Sequence, residues 1–191
     1  LDWRTGVLHD FSAPECQFGY RDSYFKSVEP ERWLIVAVVF RLPRQPQWKI
    51  DYAGVKEQLV GKELNPQLIS DAVIALRQSK LPDPAVLGNA GSFFKNPIIS
   101  QAQWQALHEQ YPTMPAWQQA DGVKLSAGWL IDQCGWKGKR DGDAGTFEKH
   151  ALVLVNHGHA MGQDVWQFAQ AIMNSVTARF GVTLEPEPRV L

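Results

Sequence analysis

Gly88-Asn89-Ala90-Gly91-Ser92-Phe93-Phe94-Lys95-Asn96-Pro97 sets two glycines just ahead of a hydroxyl, two aromatic rings, a cation and an amide. Glycine lets backbone come close to a ligand, so the run could present Ser92 to a bound molecule. The plainer alternative is a Gly-containing turn that enters a strand with Ser92 simply hydrogen-bonded. The run is neither a nucleophile elbow nor a phosphate loop of the Gly-Lys-Ser/Thr type. Gly19-Tyr20-Arg21-Asp22-Ser23 places Arg21 between an aromatic and a carboxylate. A guanidinium held there suits a planar anion, which it meets with two parallel hydrogen bonds. The same Arg-Asp pair also occurs as a surface ion pair worth less than about 1 kcal/mol. Glu187, between Pro186 and Pro188, has a restricted backbone that could hold its carboxylate in place; an acidic, proline-rich tail is the other meaning of the string.

Tyr52, Lys80 and His150 are types that suit a phosphate, a sugar or an aromatic base, and are more often surface or half-buried residues without a role. His157-Gly158-His159 has the look of a metal pair, but no Cys or carboxylate completes a ligand set at a repeating spacing, and no metal is expected. Trp104, Trp129 and Trp166 fall at helical positions that core packing explains.

Several elements must position these groups. Residues 33–40 are β-branched and continuously apolar, which predicts a strand covered on both faces and ended by Pro43 and Pro46. Asn65-Pro66 predicts a capped helix with Leu68, Ile69, Ala72, Val73 and Leu76 at helical spacing, stopping before Leu81-Pro82. Residues 100–111 predict a second helix, 124–134 a third stopped by Gly135, and 163–180 a long amphipathic helix ended by Gly181. Residues 151–155 and 182–184 predict short strands, and the first ~25 residues an extended segment with turns. Without a βαβ rhythm or internal repeats, the class expected is α+β.

The chain has 191 residues, 45% hydrophobic and 20% charged, with 19 Lys+Arg against 20 Asp+Glu. That length buries roughly 70% of the surface of the unfolded chain, enough for a core without disulfides. A net charge of -1 and a pI near 6.6 lack the basic footprint of a nucleic-acid partner. The longest apolar stretch, 33–40, is far short of the ~20 residues of a membrane span, and no leader pattern opens the chain. Cys16 and Cys134 read as two thiols of a reducing compartment, so a cytoplasmic location is expected.

Glu15-Cys16-Gln17-Phe18-Gly19-Tyr20-Arg21-Asp22-Ser23, Lys80-Leu81-Pro82-Asp83-Pro84, the 88–97 run, Gln119-Ala120-Asp121-Gly122, Ala127-Gly128-Trp129-Leu130-Ile131-Asp132 and Leu184-Glu185-Pro186-Glu187 stand in the order and spacing of one family. The chain resembles the UDP-N-acetylenolpyruvoylglucosamine reductases. The resemblance implies a bacterial flavoenzyme of peptidoglycan synthesis, in which NADPH reduces FAD and the flavin reduces the enolpyruvyl ether of a UDP-sugar, UDP-N-acetylglucosamine enolpyruvate, to the lactyl ether UDP-N-acetylmuramate. By match, Arg21 and Glu187 polarise the substrate carboxylate and stabilise the enolate, and Ser92 supplies the proton. Tyr52 matches a capping tyrosine of one subgroup, while Lys80, Asn96 and His150 match positions around the UDP-sugar.

The family's Gly-Gly-Gly-Ser-Asn loop for the flavin diphosphate occurs nowhere in these residues, so the chain reads as a C-terminal portion lacking the N-terminal FAD-binding region, its missing partner. No flavin-binding residue is assigned. Residues 1–80 are then the later part of a flavin-binding domain, 81–181 a smaller α+β substrate-binding domain, and 182–191 a segment that packs back on the flavin domain. The alternative function is a UDP-sugar-binding fragment without turnover of its own. His150 stands where relatives commonly carry Gln, and Ala116-Trp117-Gln118 replaces a Tyr-Pro pair.

Overall fold

The computed structural model describes residues 1–52 and 54–189. It divides into two compact units, Leu1–Trp48 and Lys49–Leu191.

In the first unit the buried side chain of Asp2 accepts hydrogen bonds from Arg32 Nε (3.1 Å), Arg32 Nη2 (3.0 Å) and the Arg4 N–H (2.9 Å). A carboxylate taken out of water persists only with such partners. Glu29 receives the Tyr24 hydroxyl (2.6 Å) and the Trp33 indole N–H (2.9 Å), and Phe11 packs edge-on against Phe25 and Trp33. The one helix among the described residues here is a single turn, α1 (Tyr24–Ser27). The strand expected over 33–40 is not formed. Trp33 makes an isolated bridge with Asp2, the Leu34 N–H reaches the Leu1 carbonyl at 2.9 Å, and the residues beyond have no regular structure and are exposed, Val39 at 94%. Apolar β-branched composition favours extended backbone, but a strand exists only where a neighbour supplies the ladder, and among the described residues none does so here.

The second unit opens with α2 (Val55–Leu59) and α3 (Pro66–Lys80), joined by a small core of Val55, Leu59, Ala72 and Leu76. Asn65 caps α3 as its sequence predicts, its side-chain oxygen accepting the Leu68 N–H at 2.9 Å with Pro66 in the first position. A four-stranded antiparallel sheet comes next, in the order β1 (Gly88–Ser92), β7 (His150–Asn156), β6 (Ala144–Phe147), β5 (Arg140–Asp141). A three-stranded sheet takes β2 (Ile98–Ile99), β4 (Gly122–Leu125) and β3 (Ala116–Gln119). Helix α4 (Gln101–Gln110) is fixed by a reciprocal cap in which the Ser100 hydroxyl accepts the Gln103 N–H and the Gln103 side chain accepts the Ser100 N–H, both at 3.2 Å. Helix α5 (Ala127–Gln133) packs on β7, and α6 (Gly162–Phe180) on β6, β7 and α5. Val123, Leu125, Leu130, Ile131, Leu154, Ile172 and Val176 form the main core.

This mixed, antiparallel arrangement is the α+β class expected. Two boundaries differ. The helix expected from residue 124 begins only at Ala127, because residues 122–125 pair with both β2 and β3 and Ser126 caps the helix that starts after them. Residues 182–184 form no ladder with the described residues; Val182 and Leu184 are buried in the core as anchors of an extended strap. Trp104, Trp129 and Trp166 pack on the main core as their spacing suggests.

Gly181 ends α6 in the left-handed region (φ +65), and a Cβ there would meet nothing within 4 Å. The cost of Gly181→Ala is therefore conformational, and urea unfolding is expected to show a loss of about 1–2 kcal/mol. An unchanged midpoint would contradict that account.

Candidate functional site

The 88–97 run follows the plainer of its sequence readings, a turn that enters a strand. Gly88–Ser92 is a strand, and it carries a β-bulge: Asn89 opposes Val155, yet Ser92 opposes Val153, so three steps on β1 answer two on β7. Gly91 takes the left-handed conformation (φ +74) that this requires, with open space where a side chain would be. Beyond the bulge Ser92 is half-buried, while Phe93 and Phe94 drop into the core and the Phe93 N–H reaches the Leu152 carbonyl at 2.7 Å.

The strap after α6 returns to this strand. Phe94 bridges Pro186, the Lys95 N–H donates to the Glu185 carbonyl at 2.9 Å, and the Glu187 N–H donates to the Phe93 carbonyl at 2.8 Å. Lys95 Nζ and the Glu185 carboxylate close the pairing at 2.6 Å. Buried Leu184 anchors the strap from below. Glu187 is thus bonded to the residue adjoining Ser92, although 95 positions separate the two in sequence. Proline at 186 fits its place, since the bridge uses the N–H groups of Lys95 and Glu187 and none from residue 186.

Asn96 lies just beyond. Its Oδ1 accepts the Ala127 N–H at 2.9 Å, which satisfies a donor at the start of α5, while the Ser126 hydroxyl accepts the Trp129 N–H at 3.2 Å. Asn96 therefore joins the Ser92 strand to the α5 N-terminus.

At another place on the unit, His150 lies within the electrostatic influence of Lys80. His150 opens β7 and is half-buried, and the Leu152 N–H donates to its Nδ1 at 3.3 Å, leaving Nε2 to carry the proton of the neutral ring. Burial first, and then the positive charges of Lys80 and Lys137, hold its pKa below the usual histidine value of 6.5. Two cations around a neutral donor suit an anion such as a phosphate. Lys80 is the last residue of α3, and Lys137 lies after α5 beside Asp132 at 3.8 Å. Sequence reasoning missed Lys137, whose one local signal is the tight turn at Gly138 (φ +68) next to it. Tyr52 is 70% exposed in the loop before α2, where its carbonyl accepts the Val55 N–H at 3.0 Å.

The depressed His150 pKa has a consequence for stability. The folded protein resists protonation at a pH where the unfolded chain accepts it, so stability attributable to His150 is fully present above pH 6.5 and falls as pH drops through that value toward the folded pKa. Urea midpoints at about pH 8 and pH 5 are expected to differ less for His150→Gln than for the parent; an equal pH dependence would contradict the burial argument.

In the first unit, Arg21 occupies the third position of a tight turn whose ends, Gly19 and Asp22, exchange backbone hydrogen bonds at 3.0 and 3.4 Å. Its φ of +57 is costly for a side chain with a Cβ. Lys26 Nζ donates to the Arg21 carbonyl at 3.1 Å, and Asp22 Oδ1 accepts the Ser23 N–H and the Ser27 hydroxyl, which fixes the turn from both sides. Gln17 (φ +46) and Glu31 (φ +61) of the same unit share this backbone region.

Elsewhere, the His157 and His159 backbone N–H groups both bond to Asp143, and among the described residues no three His, Cys, Asp or Glu side chains are grouped to hold a metal. Among those residues no helix is long and apolar enough to cross a membrane.

Residues 83–191 match the family model of the UDP-N-acetylenolpyruvoylglucosamine reductase C-terminal domain. A UDP-N-acetylenolpyruvoylglucosamine reductase of Chromobacterium violaceum is 52% identical over 192 residues, covering 98% of this chain and 56% of that protein. The reductase of Pseudomonas putida is 52% identical over 194 residues, covering 100% and 57%. That of Xanthomonas euvesicatoria is 54% identical over 184 residues, covering 94% and 52%. The chain spans about half the length of the curated relatives it matches.

Proposed function

The chain belongs to the UDP-N-acetylenolpyruvoylglucosamine reductase family, and from that premise we propose that its residues carry the proton-transfer and acid-binding half of an NADPH- and FAD-dependent reductase of peptidoglycan synthesis. The substrate is UDP-N-acetylglucosamine enolpyruvate and the product UDP-N-acetylmuramate. The observation that supports the reading is the return of the strap onto the Ser92 strand, where the Glu187 N–H bonds the carbonyl of Phe93, the residue next to Ser92.

The donor set fits an enol acid. Once a hydride has reached the terminal vinyl carbon, the electron pair left on the adjacent carbon spreads into the carboxylate. Arg21 offers that dianion a permanent, forked cation, which is worth most where charge develops. Glu187 beside the same carboxylate shares or donates a proton. Ser92 then delivers its hydroxyl proton to the adjacent carbon and recovers one from water. A hydroxyl is a feeble acid, yet a carbanionic centre is basic enough to take its proton. Lys80, Lys137 and His150 hold the diphosphate of the UDP-sugar, Asn96 orients the substrate from the start of α5, and Tyr52 covers it from its exposed loop.

The flavin itself supplies the hydride when bound. This chain's residues do not fit its diphosphate: the glycines of residues 88–91 are spent in a strand and its bulge, and no Gly-Gly-Gly-Ser-Asn loop exists in these residues. The flavin-binding residues are assigned to the half of the relatives' length that lies outside the match, with residues 1–80 completing that domain, 81–181 binding the sugar and the strap that follows residue 181 packing on the Ser92 strand rather than back on the flavin domain. The same observation favours a second reading for the chain in isolation, a UDP-sugar-binding module without turnover, in a cytoplasmic protein.

The test is made on the full-length protein with NADPH and the enolpyruvyl UDP-sugar. Consumption of one NADPH per sugar, with a product heavier by two hydrogens, is the expected result. NADPH oxidation without a reduced sugar would contradict the proposal.

A further inference from the structure

We infer that Asn89 is a positioning residue for the reaction, because its side chain closes the bulge that decides on which face of β1 the Ser92 hydroxyl stands; the inference rests on the proton-donor role proposed for Ser92. Side chains opposite one another in an antiparallel pair share a face, and a slip of one residue moves a side chain to the other. With the bulge, Ser92 opposes Val153. Without the extra residue, Gly91 would take that place and Ser92 would oppose Leu152. The Leu152 face is the one that α5 covers, since a Cβ on Gly128 of α5 would sit 3.6 Å from Leu152 Cγ. The inserted residue therefore turns Ser92 away from the helix-packed face and gives that face to Phe93, which belongs to the main core.

Three hydrogen bonds from one side chain hold the bulge shut. Asn89 Oδ1 accepts the Gly91 N–H at 3.0 Å, and its Nδ2 donates to the Leu87 carbonyl at 2.9 Å and the Pro82 carbonyl at 3.4 Å. The first is an Asx turn, in which the side chain stands in for backbone and stabilises the left-handed Gly91. The other two tie the turn to the segment entering the strand. Alanine keeps none of these bonds, and aspartate keeps only the first.

The experiment compares Asn89→Ala, Asn89→Asp, Ser92→Ala and the Asn89→Ala/Ser92→Ala double variant in the full-length protein. Flavin reduction by NADPH, flavin reoxidation by the enolpyruvyl sugar, and the KM for that sugar are followed separately. Asn89→Ala is expected to slow reoxidation roughly tenfold or more while reduction and KM stay within about twofold, and to add little to Ser92→Ala in the double variant, as groups acting through one another do. Asn89→Asp, which retains the bond to Gly91, is expected to recover part of the loss and carries the same comparison if the alanine variant does not fold. Slow reoxidation in Ser92→Ala but a parental rate in Asn89→Ala overturns the positioning role alone, as do losses that multiply in the double variant. A parental rate in Ser92→Ala overturns the proton-donor reading and this inference with it.

Discussion

Ser92→Ala in the full-length protein is expected to slow reoxidation of the reduced flavin by the enolpyruvyl sugar about 10²–10⁴-fold, the usual contribution of a positioned proton donor. Reduction of the flavin by NADPH does not use this hydroxyl and is expected to stay within about twofold. The separation matters because Ser92 sits between a strand bulge and two core phenylalanines, where a packing defect would disturb both half-reactions. Ser92→Cys, which restores a proton on a longer bond, is expected to recover part of the rate. Rapid-mixing absorbance of the flavin checks both, and equal losses in the two half-reactions would mean that the substitution acts on structure.

Arg21 carries the second large effect. Arg21→Lys is expected to lower kcat about 10²–10³-fold, with a smaller rise in KM for the sugar. The ground-state carboxylate has one charge and the enolate two, so a forked cation gains most as the second charge forms, and an ammonium cannot match two oxygens at once. The backbone gives an independent handle. Because Arg21 is held at φ +57, Arg21→Gly is expected to raise stability by up to about 1 kcal/mol while abolishing most activity. Parallel urea titrations and steady-state rates check the pair of effects; a destabilised Arg21→Gly would show that the turn is held by the side chain and not by function.

Much of the fold was legible where the signals are local. The Asn65-Pro66 cap, the Ser100 capping box and the glycine after α6 each act within one helical turn, and all three helices are bounded where those residues place them. Signals that depend on a distant partner misled. Residues 33–40 have every attribute of a buried strand except a neighbour, and residues 124 and 125 read as the start of a helix until β2 and β3 flank them. Val182 and Leu184 are apolar because they anchor a strap.

The candidate site divides in the same way. The 88–97 run drew attention through its glycines, but its bulge could not be read, since the extra residue exists only relative to the register of β7. Glu187 stood out between prolines, whereas its bond to the Phe93 carbonyl joins segments that no spacing rule connects. Lys137 acts on His150 by its charge from the turn after α5, a placement visible only once that helix is in place.

A crystal structure of the full-length protein with the enolpyruvyl UDP-sugar bound tests the central claim most directly. The Ser92 hydroxyl is expected about 3–3.5 Å from the carbon that bears the carboxylate, a distance suited to proton transfer, and the Glu187 carboxyl within hydrogen-bond reach of that carboxylate. A sugar whose acid group lies away from the Ser92 strand and the 184–187 strap would contradict it.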